Sequence, residues 1–305
     1  MLPTQRAQNC HRSHRSTLSR TRNSNVTPIT NKALNSSAKR CGPHYLILEF
    51  ESPQSHPDWE SRPPSPSERY VIPALTTLHF KGVVEYLEDF VTFNDTPQLD
   101  ELHTTFFNQV NFDIPRLAQF INRTPKITKR HKKLVKFEDN IVRIKFEDNF
   151  VHVKFSSGPR TLEIAISCKV PDWQLSSVEQ VCNSSLHLLS TVEDLYIEHR
   201  YQQLVWKGDA VESTQWLQLL LPFIAVKNLY LYELFAPGIA TTLNELVGGR
   251  ITEVLPSLQN IFVQGYMPPI HFQENIGQFV AARQLANHPI TISNWVRDSD
   301  SNWYF

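Results

Sequence analysis

Few residues in this chain have the type and spacing that chemistry requires. Cys168 and Cys182 are the two cysteines in patterned sequence, one in "LEIAISC" and one in "VEQVCNSS", and neither stands in a Cys-x-x-Cys pair or at a zinc-ligand distance from histidine. Both read as small buried hydrophobes. The twelve histidines are dispersed, and nine glycines build no phosphate loop, dinucleotide fingerprint, nucleophile elbow or His-Glu-x-x-His metal motif. The expectation is a protein without catalytic residues, metal or cofactor; a hydrolase assembled from distant residues is the minor alternative.

Recognition is the chemistry left, and a recurring phrase places it. "TVEDLYIE", "AVKNLYLYE" and "SLQNIFVQG" each carry apolar residues at the same three places: Val192, Leu195, Ile197; Val226, Leu229, Leu231; Leu258, Ile261, Val263. Alternate residues of a strand point to opposite faces. With the leucines inward, Tyr196 and Glu198, Tyr230 and Tyr232, and Phe262 and Gln264 face outward, and Tyr196, Tyr230 and Phe262 stand side by side as the aromatics that protein-binding hot spots favour. "ALTTLHF" and "QLDELHTTFF" extend the set with His79, Lys81, His103 and Thr105, and His152 and Lys154 join if their segment enters the sheet. The expected surface runs from histidine-rich and basic to aromatic and acidic.

The elements that must hold these residues alternate. After "ALTTLHF", Val83, Tyr86, Leu87, Phe90 and Val91 form a helical stripe with Glu85, Glu88 and Asp89 on the opposite side. "DIPRLAQFINR" predicts a helix capped by Asp113. "STQWLQLLLPF", "GIATTLNELVGG" and "HFQENIGQFVAARQL" predict three more, the middle one stopping at Gly248 and Gly249, and "ITIS" predicts a last strand. Strand and helix recurring every few tens of residues predict an α/β, leucine-rich-repeat-like curved solenoid, with parallel strands on the concave face and helices on the convex face. A doubly wound α/β sandwich is the competing architecture. "VKFEDNIVR" and "IKFEDNFVH" nearly repeat each other and predict a hairpin-like insertion over 134–155, with Asn140 and Asn149 at positive φ in its turns.

Composition sets the limits. The chain has 305 residues, 41% of them hydrophobic, with 30 basic and 30 acidic side chains. Residues 1–43 hold eight Lys/Arg and no acid, leaving 22 basic and 30 acidic residues in 44–305. The expected organisation is a disordered basic Ser/Arg/Asn-rich tail over 1–43, with a transit peptide as the lesser reading, and a folded part over 44–305 containing a Pro-rich loop at 52–69. Acidic balance argues against nucleic acid as partner of the folded part. No apolar stretch approaches the ~20 residues of a membrane span. A monomer in a reducing compartment, cytoplasmic or nuclear, is expected.

"KGVVEYLEDFVTFNDTPQLDELHTTFFNQVNFDIPRLAQFINRTPKI", "ISCKVPDWQLSSVEQVCNSSL", "TQWLQLLLPFIAVKNLYLYELFAPGIATTLNELVGGRITEVLPSLQNIF" and "QFVAARQLANHPITIS" resemble the leucine-rich-repeat-like region of an expanded family of basidiomycete fungal F-box proteins. The resemblance runs over roughly residues 44–296. It implies the substrate-recognition part of a ubiquitin-ligase receptor, gripping a protein target with its sheet. The family's F-box opens with Leu-Pro in an apolar helical module; here Leu2-Pro3 leads into a polar, Arg-studded stretch, so the F-box is expected to be missing. A ligase adaptor is then a partner only if an F-box lies outside this chain. The alternative is a truncated paralogue acting as a stand-alone scaffold or decoy.

Overall fold

A computed structural model describes residues 36–40, 44–50, 69–107, 114–123, 140–157, 160–168, 171–184, 189–199, 213–264 and 270–295. The described fold is α/β, with one large, mostly parallel sheet and six helices.

The sheet takes its strands in the order β1 (Ser36–Arg40), β2 (Tyr45–Phe50), β4 (Thr77–Gly82), β6 (Glu101–Phe106), β9 (Arg160–Ser167), β8 (Phe150–Ser157), β7 (Ile141–Phe146), β10 (Asp194–His199), β11 (Asn228–Tyr232), β12 (Asn260–Gln264) and β13 (Thr291–Trp295). Short strands β3 (Tyr70–Val71) and β5 (Asn94–Asp95) pair separately. Helices α1 (Val84–Phe93), α2 (Pro115–Arg123), α3 (Pro171–Ser184), α4 (Ser213–Leu220), α5 (Ala236–Asn244) and α6 (Ile270–Leu285) link the parallel strands. Successive crossovers move one way along the sheet. Crossovers that share one hand and one direction place their helices on one face of a sheet.

Burial follows the alternation. Leu78 and Phe80, Leu102 and Phe106, Leu195 and Ile197, Leu229 and Leu231, and Ile261 and Val263 lie in one core with Leu87, Leu117, Val178, Leu219, Ile239 and Phe279 from the helices. A parallel sheet covered on both faces would read as continuous apolar runs. These strands alternate because helices cover one side. α1 packs on α2, and α3 on α4, α4 on α5 and α5 on α6. Cys168 and Cys182 are buried, and burial pushes the Cys182 thiol far above its ordinary range.

The three phrases behave as expected. Leu195 pairs with Leu229 and Leu229 with Ile261 on adjacent parallel strands. The helix expected to stop at Gly248 and Gly249 ends earlier, at Asn244, and the two glycines take positive φ in the turns beyond it. Four expectations need correction. The sheet starts before residue 44, because Ser36–Arg40 adds as an edge strand antiparallel to β2; backbone pairing at an edge demands no apolar pattern. The rest of 1–43 lies outside the described residues, as does the Pro-rich loop up to 68. The 134–155 insertion is no mere hairpin: β7, β8 and β9 form an antiparallel meander inside the sheet, continuing to Ser167. Asn140 has φ of 60°, but Asn149 stays out of the left-handed region, its turn closed by the Glu147 amide donating to the Phe150 carbonyl at 2.8 Å.

The fourth correction concerns Glu88. It is buried, and its carboxylate accepts the amides of Arg116 and Leu117 at 3.0 and 2.8 Å. These are orphan donors at the positive end of α2. The expected cap, Asp113, lies outside the described residues. A second buried charge, Arg283 on α6, is fully enclosed and donates to the carbonyls of Ile251, Pro256 and Leu258 at 3.1 to 3.3 Å, fastening the irregular stretch after α5.

Candidate functional site

The face of the sheet turned away from the helices carries the expected recognition residues. Backbone register runs a single row through His79, His103, Glu163, Lys154, Arg143, Tyr196, Tyr230, Phe262 and Ser293. Two halves of this row differ in chemistry.

Over β10 to β12 the row is aromatic. Tyr196 and Tyr230 stack at 4.1 Å between centroids and 4°, and Tyr230 and Phe262 at 4.6 Å and 12°. These separations match the strand spacing of ~4.8 Å: the pleat itself delivers ring onto ring. Arg143 ends the stack, its guanidinium carbon 3.8 Å from the Tyr196 centroid. From β13, Trp295, the register partner of Gln264, meets Tyr196 and Tyr230 edge-on at 5.8 and 5.5 Å. All three stacked rings remain partly exposed. Burial pushes the phenols of Tyr196 and Tyr230 up, so both keep their protons at neutral pH.

Beside the rings runs a ladder of amides. Asn228 donates to the Asp194 carboxylate at 2.7 Å, Asn260 to the Asn228 side-chain oxygen at 2.7 Å, and the Thr291 hydroxyl to Asn260 at 2.5 Å. Each phrase announces this ladder by Asp or Asn immediately before its central Leu or Ile, a signal the apolar skeleton hides.

Over β6, β9, β8 and β7 the row is ionic. Glu163 accepts from His103 Nδ1 at 3.0 Å, and His152 approaches it at 3.8 Å. Burial disfavours the Glu163 carboxylate, but the hydrogen bonds and charge of the two histidines outweigh it and pull its pKa down to about 2. The same bond to Glu163 raises His103. His79, stacked on His103 at 4.5 Å, is lowered by burial and then by the charge of His103. Lys145 pairs with Glu147 at 2.9 Å and Arg143 with Glu198 at 3.1 Å.

The sequence-predicted residues therefore separate. Tyr196, Tyr230 and Phe262 come together; Tyr232 and Gln264 flank them, half-buried. Glu198 needs correction as an exposed contact: its side chain is 5% exposed and held by Arg143. His103 is engaged by Glu163, His79 is half-buried, and Lys81 alone of the basic set is exposed. Arg143, Glu163 and Trp295 are additions. Their place in the row depends on the meander and on the last strand's register, neither of which local pattern specifies.

Among the described residues no three His, Cys, Asp or Glu gather as metal ligands, and no helix is long and apolar enough to cross a membrane. No family model, curated protein or solved structure matches the chain.

Proposed function

We propose that this chain is a protein-binding module whose uncovered sheet face grips its partner through the stack of Tyr196, Tyr230 and Phe262. The observation that carries the reading is the registered stack itself: three partly exposed aromatic rings in rigid order on a face no described helix covers. Rigid aromatics lose little conformational entropy on binding and dominate interface energetics. One-sided helices, a phrase repeated at near-constant interval and an amide ladder support a leucine-rich-repeat-like solenoid, each rung hiding its apolar side against the next.

By its resemblance to the fungal F-box family, the module is the target-recognising part of a ubiquitin-ligase receptor. The second reading, a scaffold or decoy without ligase, shares the binding face. Affinity purification of the tagged full-length chain separates them. Recovery of a ligase adaptor supports the receptor; proteins recovered without adaptor support the scaffold. Retention unchanged by Tyr230→Ala excludes the stack as the binding surface in either case.

A further inference from the structure

The two edges of the large sheet differ. β1 ends one side, and its sequence closes on Lys39 and Arg40; β13, Thr-Ile-Ser-Asn-Trp, ends the other. Charged residues, proline and bulges are the usual guards against edge-to-edge pairing. β13 has none of them: its five residues are uncharged, and they pair with β12 in unbroken register.

Half of the β13 backbone faces away from the sheet. The Thr291 amide donates to the Gln259 carbonyl, just before β12, at 2.9 Å. Successive residues of a strand turn their backbone groups to opposite edges, so Thr291, Ser293 and Trp295 address β12 while the amides and carbonyls of Ile292 and Asn294 point outward. Among the described residues no strand lies beyond them. Four of the five side chains are exposed and the fifth is half-buried, whereas β12 alternates half-buried and buried. Ile292 continues the core row of Leu229 and Ile261, both fully enclosed, but is itself 41% exposed. A polar outer face is what finishes a stack of rungs. Here an isoleucine stands at the end.

Of the strands that could add at this edge, a second copy of β13 fits best, because an uncharged strand lies against itself without like charges meeting. Antiparallel pairing about a two-fold axis through Ser293, normal to the sheet, sets Ile292 opposite Asn294 of the second copy, and each such pair exchanges both of its hydrogen bonds. The helices of both copies stay on one side of the joined sheet, where the two Ile292 side chains are diagonal neighbours. Such a contact closes on itself and leaves only the β1 edges outside, whereas β13 set against β1 of the next copy would repeat without end.

We propose that β13 is a self-association edge through which two copies of this chain form an antiparallel two-fold dimer with one continuous sheet. A five-residue edge is short, so the dimer is weak, with a dissociation constant on the order of 10 µM. The monomer expected from the sequence is its dilute form. Dimerisation goes beyond partner binding and is independent of it.

Sedimentation velocity of the full-length chain from about 1 to about 100 µM tests it, with a reversible shift from one copy to two and nothing larger expected. Asn294→Pro removes an amide that β12 does not use, and proline is tolerated on an edge whose N–H faces away. Thermal unfolding should stay near the wild-type temperature while the dimer weakens about tenfold. Ser293→Lys, at an exposed position, sets lysine against lysine across the axis and weakens it by about as much. Hydrogen exchange of wild type needs no variant: the Ile292 and Asn294 amides should exchange about tenfold more slowly at the higher concentration. A single copy throughout, oligomers that grow past two, a dimer that survives both variants, or exchange at Ile292 and Asn294 that ignores concentration each overturns the proposal.

Discussion

The aromatic and ionic halves of the open face share one row of backbone register, yet they solve opposite problems. In-register parallel repeats set each residue beside its own counterpart. For rings and amides this is favourable: Tyr stacks on Tyr and Asn donates to Asn across β10, β11 and β12. For charges it is repulsive. Alternating charge therefore sits where the repeat is interrupted, with Glu163 of β9 facing His103 on one side and Lys154 on the other. Where Lys154 meets Arg143 across β7 and β8, Arg143 pairs with Glu198 and lies over Tyr196.

Disabling each half in turn gives different signatures. Glu163→Ala should cost most: a carboxylate held at about 2 instead of 4.5 contributes about 3 kcal/mol above pH 4.5. The wild-type contribution fades as pH falls from 4.5 toward 2, so urea midpoints of wild type and variant should converge there. Tyr230→Ala removes the ring shared by both stacks and should cost about 2 kcal/mol. That loss should be constant from pH 5 to 8 and insensitive to salt, and a pH-dependent loss would show that the halves are coupled. Asn228→Ala breaks the amide ladder in the middle and should cost about 1 kcal/mol by the same measurement.

The smallest effect is the wild-type pH response near neutrality, where two histidines oppose each other. His103 is raised, so its stabilisation is full below 6.5 and declines as pH climbs through the raised pKa. His79 is lowered, so the folded state holds its proton less well than the unfolded chain, and stability falls as pH drops below 6.5. His79→Gln should remove the acid-side decline. Chemical denaturation at pH 5 and 7 checks this, and an unchanged pH slope would refute the assignment to His79.

Legibility followed the range of the interactions. Leu195, Leu229 and Ile261 declared adjacent rungs, and Tyr196, Tyr230 and Phe262 their outward neighbours, because strand alternation is a local rule. Asp194, Asn228 and Asn260 were equally readable, but a search for apolar spacing passes over them. Glu88 and Glu198 look solvent-facing in the sequence, since a charged residue on a polar stripe looks the same whether it meets water, the amides of α2 or a guanidinium. Glu163 and Arg143 owe their positions to β9 and β7 exchanging the places that chain order suggests, which only long-range pairing decides.

That exchange has a consequence for how the molecule comes into being. β6 finds its neighbour only when β9 arrives, and β7 finds its parallel partner only with β10. During synthesis the first strands leave the ribosome with an unsatisfied border, and the meander emerges as a wedge that must be driven between them and strands not yet made. Assembly is slow wherever distant segments must meet before either is rewarded, so this wedge, laid in from its far side, is the step on which a chaperone or a misfolding event would act.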